Sequence, residues 1–202
     1  MTDQPDPALL QTLLQESSQL HRHLCPRQVL GVRIGLYGLN LMAIAGDGEN
    51  GRFHNRRKNL ITFVETDGCG ADGIAVATDC WVGRRTLRLF DYGKVAATLV
   101  DRKTEQAIRI WASPAARQLA QHYAPDAPTP WHAYLHAYQV MPDTLLLRSR
   151  PVTLAQPLAV LISRPNRRVE CAVCGEEIIN EREVMIDGRF LCHPCAGNSY
   201  CR

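Results

Sequence analysis

The chain reads as an α+β protein, with helices packed on a mixed or antiparallel sheet, followed by a small zinc-ribbon- or treble-clef-like module. Three observations predict this. Helical apolar periodicity governs the early residues; β-branched runs follow and helical patterns return without a regular strand–helix alternation; and two C-x-x-C pairs stand near the end. The 202 residues leave room for one domain of ordinary size and a small satellite. The expected division is an α+β metal-binding domain over 1–165 and a four-cysteine zinc module over 166–202.

Leu9, Leu13, Leu20 and Leu24, with Leu10 and Leu14 beside them, recur at near-helical spacing and predict an opening amphipathic helix. Pro26 limits it, and Cys25, pushed out of the α region by the proline after it, belongs to a break. Pro26 also suits the first position of a second helix. From Val29 to Ala43 the apolar residues fall on two faces, so this helix is expected to be buried. Gly31, Gly35 and Gly38 would let another backbone approach, at about 1 kcal/mol of helix propensity each. Residues 46–59 are rich in glycine, asparagine and charge and read as an exposed loop, with Arg52, Arg56, Arg57 and Lys58 solvated. LITFVET, TLRLF, KVAATLVD and QAIRIWA read as strands, and 71–78, 114–123 and 131–140 as helices.

Apolar residues make up 46% and charged residues 21%, the composition of a soluble globular protein. A net charge of +3 is too small to announce a nucleic-acid binder. MTDQPDPALL lacks the basic patch and apolar run of a secretory signal, and Val29–Ala45 is too short and too interrupted to span a bilayer. We therefore expect a cytoplasmic protein with no membrane partner. In a reducing compartment its eight cysteines are metal ligands or reactive thiols before they are disulfides.

Cys171 and Cys174, a 17-residue spacer, then Cys192 and Cys195 match the spacing of a structural zinc site. Each pair can form a knuckle presenting two thiolates, and four thiolates close a tetrahedral shell. Gly175 suits the positive φ such a knuckle needs. Between the pairs, Val184–Ile186 and Arg189–Leu191 flank Asp187-Gly188, a hairpin with an Asp-Gly turn. His193 and Cys201 are less favoured as ligands. Chains below roughly 40 residues rarely bury enough apolar surface alone, so the metal is expected to supply much of the folding free energy. The acidic residues of this segment argue against a phosphate-binding face.

Two clusters of the larger domain have ligand chemistry. One is His21, His23 and Cys25 at the helix break; the other is Cys69 in ETDGCGAD, where a strand passes into a helix, with Cys80 beyond. At a helix start, the Cys69 thiolate would be favoured by the helix dipole. Imidazole and thiolate together suit zinc or another late first-row metal. The expected ligands are His23, Cys25 and Cys69, with His21 or Cys80 in a fourth position; the other reading is a core cysteine with surface histidines. Three protein ligands would leave an exchangeable position and four would make a structural site. His132 and His136 share a helix face but lack the glutamate of H-E-x-x-H, and with Trp131, Tyr134 and Tyr138 around them they read as an amphipathic surface.

HRHLCPRQVLGVRIGLYGL, VETDGCGADGIAVATDCWVGRRTLRLFDYGKVAATLVD and the cysteine-pair tail together resemble the formylmethanofuran dehydrogenase E-subunit family along nearly the whole chain. The motifs that carry the resemblance are H-x-H-x-C-P, E-T-D-x-C-x-x-D, a cysteine ten or so residues on, and D-x-G-K, here Asp91-Tyr92-Gly93-Lys94. The resemblance implies a metal near the H-x-H-x-C segment, a C-terminal zinc module and a homodimer, with His21, His23, Cys25, Cys69 and Cys80 at the family's histidine and cysteine positions. Arg22 and Arg27 stand where the family often has glycine, as does Asp79. Guanidinium groups there would recruit an anionic ligand or repel a cationic one.

The family takes its name from a molybdenum or tungsten pterin enzyme whose chemistry belongs to other polypeptides of the complex, so the resemblance implies no reaction for this chain. The first functional expectation is a metal-binding accessory protein serving such an enzyme by metal or cofactor handling. The alternatives are a metal-dependent enzyme with an open zinc position, using Asp67, Asp72 or Lys94 as proton carriers, and a regulator that binds nucleic acid through the tail.

Overall fold

Asp6 starts the first helix by accepting the Leu9 N–H at 2.9 Å, and Pro7 supplies the fixed φ of a first helical residue. The result in this computed structural model, which describes residues 3–201, is α1, Pro7–His21. Leu9, Leu10, Leu13 and Leu14 are buried, whereas Leu20 is exposed and Leu24 lies past the helix end, which comes at Arg22 in the left-handed conformation. Cys25 is extended, as a residue before proline must be, and α2 runs from Pro26 to Leu41.

The chain then forms β1 (Leu60–Val64), α3 (Cys69–Thr78), β2 (Leu87–Leu89), β3 (Ala96–Asp101) and β4 (Ala107–Ala112). Next come α4 (Ala116–Tyr123), α5 (Pro130–Val140), α6 (Asp143–Leu146) and β5 (Leu147–Val152). The five strands make one mixed sheet in the order β2-β1-β3-β4-β5. β1 pairs in parallel with β2 and antiparallel with β3, and the remaining pairs are antiparallel. All five residues of β1 are buried, so a continuous apolar run replaces alternation there. The sequence pattern does not announce β5, LRSRPV, as a strand. Its alternating arginines and its proline are tolerated because it lies at the sheet edge.

The α2 glycines are a packing device. A Cβ built on Gly31 would lie 2.2 Å from the Gly70 carbonyl oxygen, one on Gly35 2.6 Å from the Ala77 Cβ, and one on Gly73 2.4 Å from the Gln28 carbonyl oxygen. From Gly31, beside Gly70 and Ile74, to Gly35, beside Ala77 and Thr78, the α3 partners advance with α2, so the two helices run parallel and their N-terminal ends lie side by side. Gly38 instead admits the Leu99 and Ile110 side chains of the sheet.

Arg33 interrupts the apolar run of α2 and is fully buried. Its guanidinium donates to Asp143 Oδ1 at 3.2 and 2.8 Å, to the Tyr138 carbonyl at 2.8 Å and to the Met141 carbonyl at 2.6 Å. One side chain thus fastens α2 to the end of α5 and the start of α6, with its charge balanced and its donors satisfied.

The chain divides into two compact units at Thr153–Leu154, where the sequence places a boundary at 165/166. The second unit holds α7 (Leu158–Ile162) and two hairpins, β6 (Arg168–Glu170) with β7 (Glu177–Ile179) and β8 (Val184–Ile186) with β9 (Arg189–Leu191). The β8–β9 turn has Asp187 and Gly188 both at positive φ, 47° and 75°, as a two-residue turn of this kind requires. No helix among the described residues is long and apolar enough to cross a membrane.

Gly31→Ala would force α2 and α3 apart against backbone rather than against a movable side chain. It should destabilise the larger unit by about 3 kcal/mol, read as a lower midpoint in urea unfolding, while Gly83→Ala, in open space, should change little.

Candidate functional site

In the tail, β6 leads into Cys171 and the chain turns through Cys174 and Gly175, at φ +75°, before β7. β9 leads into the second pair. One sulfur from each of Cys171, Cys174, Cys192 and Cys195 lies within 4.8 Å of the others, and the Cys174 and Cys192 sulfurs are 3.8 Å apart. Four sulfurs at roughly 2.3 Å from one tetrahedral ion would stand roughly 3.8 Å from each other, so the donor set fits zinc. Backbone N–H groups of Cys174, Cys192 and Val173 bond the Cys171 sulfur and bring its pKa down to about 6. The hydrogen bond with Cys192, with burial and the other two thiols, pushes Cys195 up to about 12. The cluster can therefore hold a metal such as zinc. His193 and Cys201 are not part of it, and Cys201, which is exposed, bonds with Ser199 instead.

In the larger unit, Cys25 caps α2 and Cys69 opens α3, and the parallel packing of these helices brings the two thiols together. Both line the wall of one cavity, near enough for Cys25 to act on the ionisation of Cys69. Burial, followed by the neighbouring Cys25 thiol, raises the Cys69 pKa. The expected dipole-stabilised thiolate is thus outweighed by desolvation and a second thiol.

Cys80 does not join them. It follows α3, eleven residues after Cys69, and at 1.5 Å per helical residue lies about 15 Å away. Its thiol is wholly buried, takes a hydrogen bond from Asn55 Nδ2 at 3.3 Å and donates to the Leu60 carbonyl at 3.5 Å. The histidines stay near the helix break: the His21 and His23 rings are 4.7 Å apart, and His21 Nδ1 is 3.8 Å from Asp72 Oδ2. Neither lines the cavity. Among the described residues, the tail cysteines alone gather three or more cysteine, histidine or carboxylate ligand atoms within 4.8 Å. His23, Cys25 and Cys69 therefore do not converge as a ready-made triad.

Gln28 is a fixture that the search for ligand-type residues passes over. Its Oε1 accepts the Cys25 N–H at 2.9 Å while its Nε2 donates to the Ser17 carbonyl at 2.8 Å, all of it buried, so it fixes the Cys25 turn against α1. A sequence signal for it exists: Cys25-x-x-Gln28 has the spacing of a capping box.

The cavity holds about 710 Å³. Arg27, Lys94, Arg109 and Arg117 line it, and among the described residues no carboxylate does. Glu65 grips Arg109 with two bonds of 2.6 Å from behind, and its own carbonyl accepts the N–H groups of Tyr92 and Lys94, each at 3.0 Å. This anchors the D-x-G-K loop, with Gly93 at φ +64°, beside the cavity. Trp111, over which Arg109 sits 5.0 Å from the ring centre, forms part of the wall with Trp131, Tyr134 and Tyr138.

A family model described as "FmdE, Molybdenum formylmethanofuran dehydrogenase operon" matches residues 20–146. The chain belongs to this family. A "Probable S-adenosyl-L-methionine-binding protein" of Archaeoglobus fulgidus is 29% identical over 118 residues, which cover 58% of this chain and 31% of that protein. The chain thus matches under a third of that relative's length. The crystal structure of an FmdE-like protein of tungsten formylmethanofuran dehydrogenase type from Syntrophus aciditrophicus aligns with a TM-score of 0.61 at 16% identity, over 96% of this chain and 95% of that one. That likeness shows a shared fold.

Arg22 at φ 63° and Asp79 at φ 46° are in the left-handed region that favours glycine. At Asp79 the side chain compensates. Burial alone would raise its carboxyl pKa, but bonds from Trp81 Nε1 at 2.8 Å, Arg84 Nη1 at 2.8 Å and the Asn55 N–H at 2.8 Å hold it below 3.8. A depressed carboxyl contributes stability above its unfolded pKa and loses it as pH falls through the folded value. Asp79→Asn, which tolerates the same backbone, should therefore cost about 1–3 kcal/mol at pH 7. The difference from the parent should shrink steadily below pH 3.8 in urea melts run across pH.

Proposed function

We propose that this protein is a metal-binding accessory protein of the FmdE family that handles a metal or cofactor for a molybdenum or tungsten enzyme. The observation that carries the reading is the meeting of Cys25 and Cys69, from segments far apart in sequence, at the wall of an open cavity. Two thiols with room beside them suit capture and release, because a partner or cofactor can supply the remaining ligands. The tail differs: four sulfurs complete a shell and leave no open position, which suits a structural zinc. Under this reading the larger unit takes zinc or another late first-row metal, with His23 or His21 swinging in as a further ligand, and Cys80 acts as a buried core thiol. A homodimer, implied by the resemblance, is part of the proposal.

The name of the Archaeoglobus relative favours a second reading, in which the larger unit's main business is a small organic ligand. The two readings are compatible, since thiols and cationic side chains share one cavity.

Metal content of the full-length protein tests the first reading. Cys171→Ser should lose zinc and unfold the tail, because the metal supplies much of that unit's folding free energy. Cys25→Ser and Cys69→Ser should each lose a second, weaker metal equivalent and keep the tail zinc. Retention of every equivalent by both of these variants would sink the cavity site.

A further inference from the structure

The cavity beside Cys25 and Cys69 is furnished for more than a metal. Four helices begin at its wall: α2 at Pro26 and Arg27, α3 at Cys69, α4 at Ala116 and Arg117, and α5 at Trp131. Each helix start carries a partial positive charge; α2 and α5 open on prolines and are capped by Cys25 and Thr129, so the free N–H groups come chiefly from α3 and α4. Arg27, Lys94 and Arg117 add full charges, and the nearby Glu65 carboxylate is spent on Arg109. Ser113 supplies the independent sign of a missing ligand. It lines the cavity and is 5% exposed, yet its hydroxyl has no hydrogen-bond partner among the described residues. A buried hydroxyl left unpaired is unfavourable; closed off from solvent as it stands, it would pair with an oxygen-rich anion by turning toward the cavity that Ser113 lines.

The walls also select for shape. Trp131 and Trp111 present ring surface, and Tyr134 and Tyr138 stack nearly parallel, with centres 5.8 Å apart and planes 7° from each other. The Arg117 charge acts on the Tyr138 hydroxyl, which sets the cationic rim beside the aromatic wall. The volume, about 710 Å³, is within the range of small-molecule and cofactor sites.

We propose that this cavity binds a phosphorylated planar heterocycle of the nucleotide class, its phosphate held by Ser113, Arg117, Lys94 and the helix starts and its ring laid against Trp131 and Tyr134. The site shares the cavity of the proposed thiol metal site but does not need a metal there. Its charge also distinguishes it from an S-adenosyl-L-methionine site. That ligand carries a sulfonium and an ammonium against one carboxylate, and a rim of three uncompensated cations disfavours it.

The test is titration of the full-length protein with AMP, GMP, adenosine, inorganic phosphate and S-adenosyl-L-methionine, followed by tryptophan fluorescence and calorimetry. AMP or GMP should bind more tightly than adenosine or phosphate alone, more weakly as salt rises, and more tightly than S-adenosyl-L-methionine. Lys94→Ala and Arg117→Ala should each weaken nucleotide binding about tenfold or more. Trp131→Ala should weaken AMP and leave phosphate unchanged. Lys94 is exposed and has no packing role, so loss of binding in that variant is not a folding failure. Binding of neither nucleotide, adenosine matching AMP, tighter binding of S-adenosyl-L-methionine, or indifference to both cation substitutions would each overturn the proposal. Persistence of AMP binding in Cys69→Ser would uphold the nucleotide site even if no metal binds the thiols. Intact metal content without nucleotide binding would remove the nucleotide site alone.

Discussion

The close parallel contact between α2 and α3 is the constraint on which the cavity of the larger unit depends. Gly31 on one helix and Gly73 on the other let backbone meet backbone, and Gly35 admits the Ala77 Cβ, so the separation of the helix axes is set largely by main-chain atoms. Each glycine inside a helix is unfavourable by about 1 kcal/mol relative to alanine, and the dense contact it permits offsets that. Parallel packing has a chemical result. It aligns two helix starts, one capped by Cys25 and the other opened by Cys69, so that two thiols and two positive helix ends arrive at one place. An antiparallel pair would have put Cys69 beside the far end of α2.

Around that pair the remaining elements act as fixtures. Arg33 joins α2 to the end of α5 through Asp143 and two carbonyls, which holds the α5 aromatics against the same opening. Glu65 has two tasks, its carboxylate orienting Arg109 and its carbonyl anchoring the loop that carries Lys94. Neutralising Arg109 from behind leaves the charge facing the cavity to Arg27, Lys94 and Arg117. Those three come from different elements, and only folding makes them neighbours.

What the sequence could and could not show follows from the range of the interactions. The tail is legible nearly whole because its ligands are local: two knuckles, one Asp-Gly turn, one hairpin. The β6–β7 pairing is not, since strands of three residues flanking a knuckle leave no periodic pattern. In the larger unit, Pro26 gives away the break at Cys25, and the glycines of ETDGCGAD the passage into α3. The exclusion of Cys80 is also readable, because a helix over 71–78 already places residues 69 and 80 at opposite ends. The cysteine count of the motif argues more loudly than the helix length. The distance from His23 to the thiols is not readable: Arg22 turns the chain at positive φ, and its exit direction depends on packing that no local pattern encodes. The cavity cations are invisible for the same reason, and Ser113 is an ordinary serine until its surroundings are known.

Cys171 of the tail and Cys69 of the cavity are in opposite electrostatic settings. At the tail, backbone N–H groups point at Cys171 and stabilise its thiolate before any ion arrives, so part of the work of forming the site belongs to the local fold. At the cavity, burial and a neighbouring thiol hold the proton on Cys69, so a cation bound by that sulfur would have to displace it in a cationic enclosure. The proposed cavity site would therefore bind a metal weakly unless something negative enters with it. The proposed phosphorylated ligand would neutralise the enclosure and make the thiols better ligands. On these grounds metal and anion are expected to bind cooperatively in the larger unit, and a metal arriving with an anionic cofactor would be held far longer than one arriving alone.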